Sequence, residues 1–585
     1  MMKSKLLVLL GFLLALFTCD YTNPQQQLYA LFDEEWAFRL KEEPLFATSA
    51  GQHEYDALLP SVSAADQTRR AEVWRGLLER LQKIDRAKLA RADQINYDMF
   101  QSMLESKCAR VDFKEYYIPF TVDDGFHIAF ARLPSQAPNN TAQDYENYVK
   151  RLRAFPSYVE QHLANMQEGL RRGITMPRVV LQGFEVTIAT HVVDDPAQSV
   201  FFAPFKKFPA AIPASEHERL RREGEAAIKE AIVPGYRRLL QFMTEEYIPH
   251  ARTTIGASDL PNGAAYYAQC IKNFTTLELG AEEIHQIGLQ EVARIQAEML
   301  EIIEQTGFAG DFAAFLKFLR TDPRFYAKTP EQLLKEASYI CKRMDAKLPS
   351  LFKRLPRLPY GVAPVPDRLA PKYTAGRYVG PAVGSTEPGY YWVNTYALEN
   401  RPLYVLEALS LHEAVPGHHM QTALAQEMDN VPNFRRALYL SAFGEGWGLY
   451  CERLGLEAGF YANPYSNFGR LTYEMWRACR LVVDTGMHAK GWTREQALEL
   501  MASHTALSLH EVRTETDRYI SWPGQALAYK LGELKIRELR HKAETELGGK
   551  FDLREFHDVI LRNGSIPLPV LEEEVEAYIR ERQKS

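Results

Sequence analysis

The segment Ser410–Gln421 reads Ser-Leu-His-Glu-Ala-Val-Pro-Gly-His-His-Met-Gln and decides how the rest of the chain is interpreted. Three histidines and a carboxylate lie within eight residues of an otherwise apolar stretch. Neutral imidazoles can hold a metal ion, and a neighbouring acid can take a proton from an attacking water molecule. The composition of this segment therefore indicates a catalytic zinc site.

The spacing of the histidines requires a break in the helix. The zinc signature H-E-x-x-H places two histidines one helical turn apart, whereas His412 and His418 are six residues apart. A regular helix would separate them by about 9 Å along its axis and place them on different faces. Pro416 removes an amide donor and clashes with the preceding turn, and Gly417 tolerates almost any backbone angle. We therefore predict a break that brings His418 beside His412.

Two alternatives to this interpretation remain. His419 could replace His418 as the second ligand, because residues seven apart share a helix face, although two full turns then separate it from His412. A histidine-rich patch beside Pro-Gly is also typical of a surface loop that binds no metal. The spacing alone does not decide between these arrangements.

A second segment supplies a candidate third ligand. Ala442–Glu452 reads Ala-Phe-Gly-Glu-Gly-Trp-Gly-Leu-Tyr-Cys-Glu, with Glu445 on an apolar, helix-like stretch. Glycines on both sides would let another backbone approach closely, and a buried carboxylate needs a partner such as a metal ion. The site interpretation makes Glu445 the third ligand and Glu413 the general base. The alternative is an exposed Glu445 on a loosely packed helix.

Four motifs carry a resemblance to a known family. They are the His-Glu-Ala-Val-Pro-Gly-His-His segment, Gly-Glu-Gly-Trp-Gly-Leu-Tyr, and the segments at 482–493 and 517–529. Together they resemble the domain-of-unknown-function 885 family, which is bacterial, mostly helical and zincin-like, with candidate metallopeptidases as members. The resemblance covers most of the chain. It implies a zinc hydrolase and leaves the substrate open.

Length and composition exclude several classes of protein. The 585 residues carry 69 Lys plus Arg and 75 Asp plus Glu, a formal net charge of −6 with both signs spread along the chain. No basic stripe indicates nucleic-acid binding. The apolar fraction of 46% is ordinary for a globular protein. Cysteine ligation of zinc has no support, because no two cysteines have the spacing of a metal site, and we expect the cysteines after Cys19 to be buried thiols.

The first nineteen residues predict export. Met1–Lys5 is short and cationic, and the apolar run at 6–17 is too short for a permanent membrane span, as in a secretory signal. Leu-Phe-Thr-Cys at 16–19 resembles a bacterial lipobox with Cys19 as the lipidated residue, although Thr18 departs from the usual small residue. We predict a periplasmic or cell-envelope location, with possible attachment to the membrane through Cys19. No later segment is long and apolar enough to span a membrane.

The hydrophobic pattern predicts a mainly α protein, a large multi-helix body with a small β element beside the active-site helix. The family resemblance implies that this body is zincin-like. After the signal at 1–19, we expect a mainly helical region at 20–350 that continues into a catalytic region at 351–585. The predicted helices lie at 26–107, 142–174, 214–249, 277–307, 329–347, 400–413, 433–460, 465–490, 494–503 and 523–546, and a weaker pattern predicts a strand at 179–193.

One clear break interrupts the helices. Residues 349–389 hold eight prolines, too many for a helix interior, and the strand-like segment 389–395 follows. A strand edge beside the metal helix could bind an extended peptide through its backbone, which makes Tyr391 and Asn394 candidate substrate-binding residues. The alternative is a buried aromatic strand.

Two further segments hold candidate catalytic residues. Asp484 and His488 are four residues apart on one helix face, and an imidazole oriented by a carboxylate can stabilise an oxyanion. Tyr519 could donate to the same oxyanion, and Arg518 could bind a peptide carboxylate with two hydrogen bonds. The alternatives are a helix-stabilising pair, a structural arginine and a core tyrosine.

These residues together predict a zinc metallopeptidase. His412, His418 and Glu445 would hold the ion, Glu413 would be the general base, and His488 or Tyr519 would stabilise the oxyanion. Two alternatives differ in class. One is a zinc hydrolase of non-peptide amides or esters, and the other is an exported lipoprotein that binds peptides or cell-wall fragments without catalysis.

Overall fold

The computed structural model describes residues 23–367, 369–381, 387–429 and 431–584. The predicted signal peptide and Cys19 lie outside the described residues. The structure is mainly helical, with 70% helix and 3% strand, which confirms the predicted mainly α class.

Most of the described helical residues lie in helices of eight residues or more. In chain order these are α1 (Pro24–Glu42), α2 (Ala64–Leu81), α3 (Arg91–Asp112), α4 (Ala142–Arg172), α5 (Ala214–Ala227), α6 (Val233–Phe242), α7 (Gly263–Thr275), α8 (Ala281–Thr306), α9 (Phe312–Thr321), α10 (Pro330–Asp345), α11 (Leu406–Glu413), α12 (His418–Gln426), α13 (Ser441–Leu454), α14 (Pro464–Ala489), α15 (Arg494–His504), α16 (Leu509–Ser521), α17 (Ala528–Leu547), α18 (Leu553–Leu561) and α19 (Leu568–Lys584).

Shorter helical segments connect these elements. They are Pro44–Ser49, Phe126–Ala131, Leu133–Gln136, Val186–Ala189, Ala203–Lys206, Ile248–His250, Leu348–Leu351 and Asn433–Arg436, with π-helical turns at Ile228–Ile232 and Met243–Tyr247. The π turns continue α5 and α6, so the predicted helix at 214–249 is one nearly uninterrupted rod.

Local sequence signals set several helix ends. Thr141 and Asp144 form a capping box at the start of α4, and the Thr329 side chain accepts from the amide of Gln332 with Pro330 at the first position of α10. Gly307 ends α8 with a positive φ of 68°, which glycine adopts without a steric penalty. Capping chemistry therefore explains why these boundaries agree with the sequence.

Three predicted elements differ from the structure. The predicted helix at 26–107 is divided into α1, the short helix Pro44–Ser49, α2 and α3. Residues 179–193 form no strand: Arg178–Leu181 is a 3-10 turn, Gly183 has a φ of 77°, and Val186–Ala189 is a helical turn. Of their β-branched residues, Val180 and Ile188 are buried, whereas Val179 and Val186 are exposed. The predicted helix at 433–460 is interrupted, because an extended segment precedes α13 at Leu440.

The proline-rich break contains most of a small sheet. Its strands are β1 (Tyr360–Pro364), β2 (Gly376–Val379) and β3 (Gly389–Val393), in the order β1-β3-β2. β1 is parallel to β3, and β2 is antiparallel to it. The sequence predicted only the last strand, and this strand lies in the middle of the sheet.

The helices share one main hydrophobic core, which extends from Leu28 to Ile579. Within it α8 packs along α14, and α13 packs on α17. The buried Lys530 ammonium contacts Glu291, Glu474 and Glu533 and so connects α8, α14 and α17. The buried residues of 20–350 and 351–585 thus belong to the same core, and the boundary between these two regions stays a prediction.

Two expectations about the whole chain can be compared with the structure. None of the described helices is long and apolar enough to cross a membrane. The cysteines at 108, 270, 341, 451 and 479 are buried and free, as the sequence predicted.

Candidate metal centre

The helix breaks where the sequence predicts. α11 ends at Glu413 and α12 begins at His418, with Ala414 (ψ −113°) and Gly417 (ψ −127°) outside the helical region and a cis Val415–Pro416 peptide between them. A Cβ on Gly417 would lie 1.8 Å from the carbonyl oxygen of His412, so only glycine fits there. The Trp447 indole donates to the carbonyl of Pro416 over 2.9 Å.

This break brings the three predicted ligands together. The Nε2 atoms of His412 and His418 each lie 3.4 Å from Oε2 of Glu445. One ligand atom of each residue lies within 4.8 Å of the others, and the two imidazole rings are nearly perpendicular. His412 is buried, whereas His418 and Glu445 keep 14% and 16% of their side-chain surface exposed. The group is therefore accessible from one side.

The neighbouring helix orients His412 through two features. Nδ1 of His412 lies 2.8 Å from Oε1 of the buried Glu452, which fixes the tautomer and turns Nε2 toward Glu445. Gly448 provides the space, since a Cβ there would lie 2.6 Å from Cε1 of His412. Glu452 lies seven residues after Glu445 on α13, and Arg477 contacts it over 3.3 Å.

Sequence reasoning missed the role of Glu452. The available signal was a second carboxylate two helical turns after Glu445 on the same apolar helix, since such spacing keeps two residues on one face.

The charges in this group favour an ionised carboxylate. Burial raises the pKa of Glu445, but His418 and His412 outweigh burial and hold it well below its usual range. Burial lowers the pKa of His412, but hydrogen bonds with Glu445 and Glu452 outweigh this effect and raise the pKa to about 9. Without a metal ion, a proton on His412 thus balances the surrounding acids.

His419 points away from the ligand group. Its Nδ1 lies 3.1 Å from the Tyr378 hydroxyl, and its ring packs against Tyr360 and Tyr378. Burial lowers the pKa of His419 to about 4. Of the two candidates for the second ligand, the structure brings only His418 to His412.

Glu413 lies between the ligand helix and the sheet. Its Oε2 accepts a hydrogen bond of 2.8 Å from the amide of Tyr378 on β2. Since β2 pairs with β3 on its other side, this amide belongs to the outer edge of the sheet. The small β element thus lies beside the candidate general base, as the sequence predicted.

Tyr391 and Asn394 do not face this edge. β3 is the central strand, both residues are fully buried, and the Asn394 amide donates to the carbonyls of Ala370, Tyr373 and Thr374. The burial of both side chains and the pairing of β3 along both edges argue against the predicted role in substrate binding. The edge strand near Glu413 is β2.

His488 is also placed differently from its predicted role. It is buried, its Nδ1 accepts from the amide of Ala257 over 3.0 Å, and its Nε2 lies 3.0 Å from the carbonyl of Tyr519. Both ring nitrogens are therefore bonded to backbone and cannot reach an oxyanion. The expected partner, Asp484, instead accepts from the Tyr267 hydroxyl and the amide of Gly524.

The Tyr519 hydroxyl likewise has all of its hydrogen-bonding capacity in use. It donates to Glu515 and accepts from the indole of Trp476 and from Arg480, all within 2.8 Å. The predicted role of this hydroxyl as an oxyanion donor is wrong for the same reason as that of His488. Arg518, the next residue back, keeps 14% of its side chain exposed.

Three further residues lie near the ligands: Tyr439, Arg377 and Tyr529. The exposed Tyr439 donates to Oε1 of Glu445 over 3.3 Å. Although the residue as a whole is exposed, desolvation at its hydroxyl raises the pKa of Tyr439 well above the usual value, and Glu445, Tyr529 and Glu413 raise it further. Desolvation lowers the pKa of Arg377, but nearby acidic groups including Glu413 and Glu445 produce a net increase. Tyr439 therefore contacts the ligand group, and Arg377 lies near enough to interact with it electrostatically.

The donor set fits a divalent transition metal ion. Two imidazole nitrogens and one carboxylate, from two helices, are the ligands of catalytic zinc sites with an open position. Glu452 supplies the partner that metal-binding histidines usually have on their other nitrogen, and the glycines at 417 and 448 create the required space. Among the described residues this is the group that could hold a metal ion.

Two solved structures are similar to this chain, and one family model matches it. A candidate lipoprotein from Colwellia psychrerythraea has a similar structure, with a TM-score of 0.88 and 30% identity over 96% of this chain and 100% of that chain. A candidate lipoprotein of unknown function from Shewanella oneidensis has a TM-score of 0.73 and 18% identity over 94% and 99% of the two chains, which shows the shared fold alone.

None of the curated proteins compared with the chain matches it significantly. The family model described as "bacterial protein of unknown function (DUF885)" matches residues 44–575. The chain therefore belongs to the DUF885 family.

Proposed function

We propose that the protein is a zinc-dependent peptidase with a zincin-like centre. The observation that supports this proposal most strongly is the convergence of His412, His418 and Glu445 beside the Glu413 carboxylate. A zinc ion held by these three ligands would supply Lewis acidity and make water a nucleophile near neutral pH. A purely structural role would not require an accessible ligand group beside a second acid.

The chain's own residues would carry the proton transfers. Glu413 accepts a proton as the water oxygen bonds to the carbonyl carbon, and it passes that proton to the amine nitrogen as the C–N bond breaks. The products are a carboxylic acid and an amine. The amide of Tyr378 holds one oxygen of Glu413 in place, and Arg377 is the cation that we propose to face the developing oxyanion, in place of His488 and Tyr519.

Peptides are the substrate class that the local fold favours. β2 is an edge strand whose outer side faces Glu413. The amide of Tyr378 is bonded to Glu413, so we propose that an extended peptide aligns with the remaining backbone groups of this edge. A non-peptide amide or ester would make no use of this edge.

The proposed roles can be separated with two Glu→Gln variants, which keep the size of the side chain and remove its charge. In Glu413→Gln we expect the zinc content of the wild type and a loss of turnover of about 100- to 10,000-fold. In Glu445→Gln we expect loss of zinc, measured by metal analysis after dialysis. The control is Glu427→Gln. Glu427 directly follows the last residue of α12 and is not one of the proposed ligands. A zinc-loaded Glu413→Gln variant with full activity would contradict the assigned base.

We also propose export and lipid attachment through Cys19. The lipobox-like sequence supports this location, as does the likeness to the Colwellia psychrerythraea candidate lipoprotein. Mass spectrometry of the membrane fraction should find a lipidated N-terminal Cys19, and Cys19→Ser should move the protein to the soluble fraction. Equal membrane association of both forms would contradict lipid attachment.

A further inference from the structure

A positively charged cluster lies between α14 and α16. Oε2 of Glu515 accepts hydrogen bonds from Nη2 of Arg480 and Nη2 of Arg518, each over 3.1 Å, and from the Tyr519 hydroxyl over 2.8 Å. Burial raises the pKa of Glu515, but Arg518 and Arg480 outweigh it and lower the pKa to about 2. Two guanidinium groups therefore share the Glu515 carboxylate.

Arg480 has unused hydrogen-bonding capacity. Its side chain is only 3% exposed, and within the described part of the chain its Nη1 is buried without a hydrogen-bond partner. The guanidinium lies over the rings of Trp476 and Tyr529 at 4.2 and 4.3 Å. A buried, charged donor without an acceptor is costly, and an anionic ligand would supply the acceptor.

Tyr529 connects this cluster to the metal centre. It lies near the start of α17, on the turn before Gly532, whose backbone packs against Gly446 beside Glu445. The phenol of Tyr529 also contributes to the raised pKa values of Tyr439 and Arg377, which lie beside the ligands. It contributes in the same way to the raised pKa of Arg518 in the cluster. Tyr529 therefore lies near both the ligand group and the arginine cluster.

Arg518 is the accessible member of the cluster. Its Nη1 donates to Gln525 over 2.8 Å, and its Nε and Nη2 face Glu515. These contacts hold the guanidinium in one orientation while 14% of the side chain remains exposed. A fixed arginine suits a planar carboxylate better than a mobile lysine does.

We propose that Arg518, supported by Arg480 and Tyr529, binds the C-terminal carboxylate of a peptide whose scissile bond lies at the metal centre. The protein would then remove residues from the carboxyl end of its substrates. The two guanidinium groups on one carboxylate, the buried unpartnered donor and the position of Tyr529 near both groups favour a substrate with a terminal carboxylate. This inference rests on the proposed peptidase function for the chemistry, but its binding step can be tested without turnover.

The test uses the zinc-loaded Glu413→Gln protein, which should bind but not cleave. An N-terminally fluorescein-labelled Ala-Ala-Phe-Ala-Ala is compared as the free acid and as the C-terminal amide by fluorescence anisotropy. We expect the free acid to bind about 10- to 100-fold more tightly, as for a charge-assisted hydrogen-bonded pair. Arg518→Gln in the same background should reduce this ratio to about one without weakening the amide.

Arg580→Gln, which changes a 62% exposed arginine on α19, is the matched control and should leave the ratio unchanged. If Arg518→Gln does not fold, the acid-to-amide ratio of the parent protein still tests the proposal. Equal binding of acid and amide, or no binding of either, would overturn it. If the acid preference is present but zinc-loaded wild type cleaves neither peptide, the peptidase proposal fails and the carboxylate site stands.

Discussion

Gly448→Ala tests the metal centre through a single added methyl group. The new Cβ would lie 2.6 Å from Cε1 and 2.7 Å from Nε2 of His412. Ordinary contact requires the imidazole to retreat by about 1 Å, whereas zinc–nitrogen distances tolerate changes of about 0.2 Å. The 2.8 Å contact with Glu452 holds the ring on its other side, so the ring cannot simply rotate away.

We therefore expect Gly448→Ala to weaken zinc binding at least about 10-fold, in the range found when the support of a ligand is lost. Competition with a chelating dye measures this affinity. The alanine itself favours a helix by about 0.5–1 kcal/mol, while overpacking costs about 1–3 kcal/mol, so the metal-free protein should lose at most a few kcal/mol of stability.

Gly76→Ala is the matched control, because Gly76 also lies inside a helix, and a Cβ there would meet nothing within 4 Å. It should keep the zinc affinity of the wild type and gain slightly in stability. If Gly448→Ala bound zinc as tightly as Gly76→Ala, His412 could not be a ligand in the orientation described.

Two further predictions concern buried carboxylates. Glu452→Gln should weaken zinc binding about 10- to 100-fold while the protein stays folded, and unchanged affinity in the dye competition would show that Glu452 does not orient His412. Burial raises the pKa of Asp484 to about 7, although Tyr267 and Gly524 lower it. The folded state therefore holds the proton of the Asp484 carboxyl more tightly than the unfolded state does. The free energy of unfolding should fall by roughly 4 kcal/mol as the pH rises from about 4 to 7. Urea unfolding across this range should show a flatter pH dependence for Asp484→Asn, whereas parallel profiles would contradict the shift.

Much of the helical framework could be predicted because its signals are local. The caps at Thr141 and Thr329 and the stop at Gly307 act within one turn of the residues they affect. The break between α11 and α12 was also predictable, because Pro416 and Gly417 restrict or free their own backbone angles. The pairing of His418 with His412 followed from that break.

The assignments that failed depended on long-range contacts. The sequence showed that 389–393 is a strand, but not that β1 and β2 would cover both of its edges and bury Tyr391. Likewise, the bonds that saturate His488 come from Ala257, which is 231 residues away, and from the backbone of Tyr519. Local spacing carries no information about such partners, so it could not separate a catalytic histidine from a structural one.

Zinc-edge anomalous diffraction from crystals of the zinc-loaded protein would test the central proposal most directly. We expect one strong peak about 2.0–2.2 Å from Nε2 of His412, Nε2 of His418 and a carboxylate oxygen of Glu445. A peak at other residues, or no peak at this position in crystals grown with zinc, would contradict the proposed metal centre.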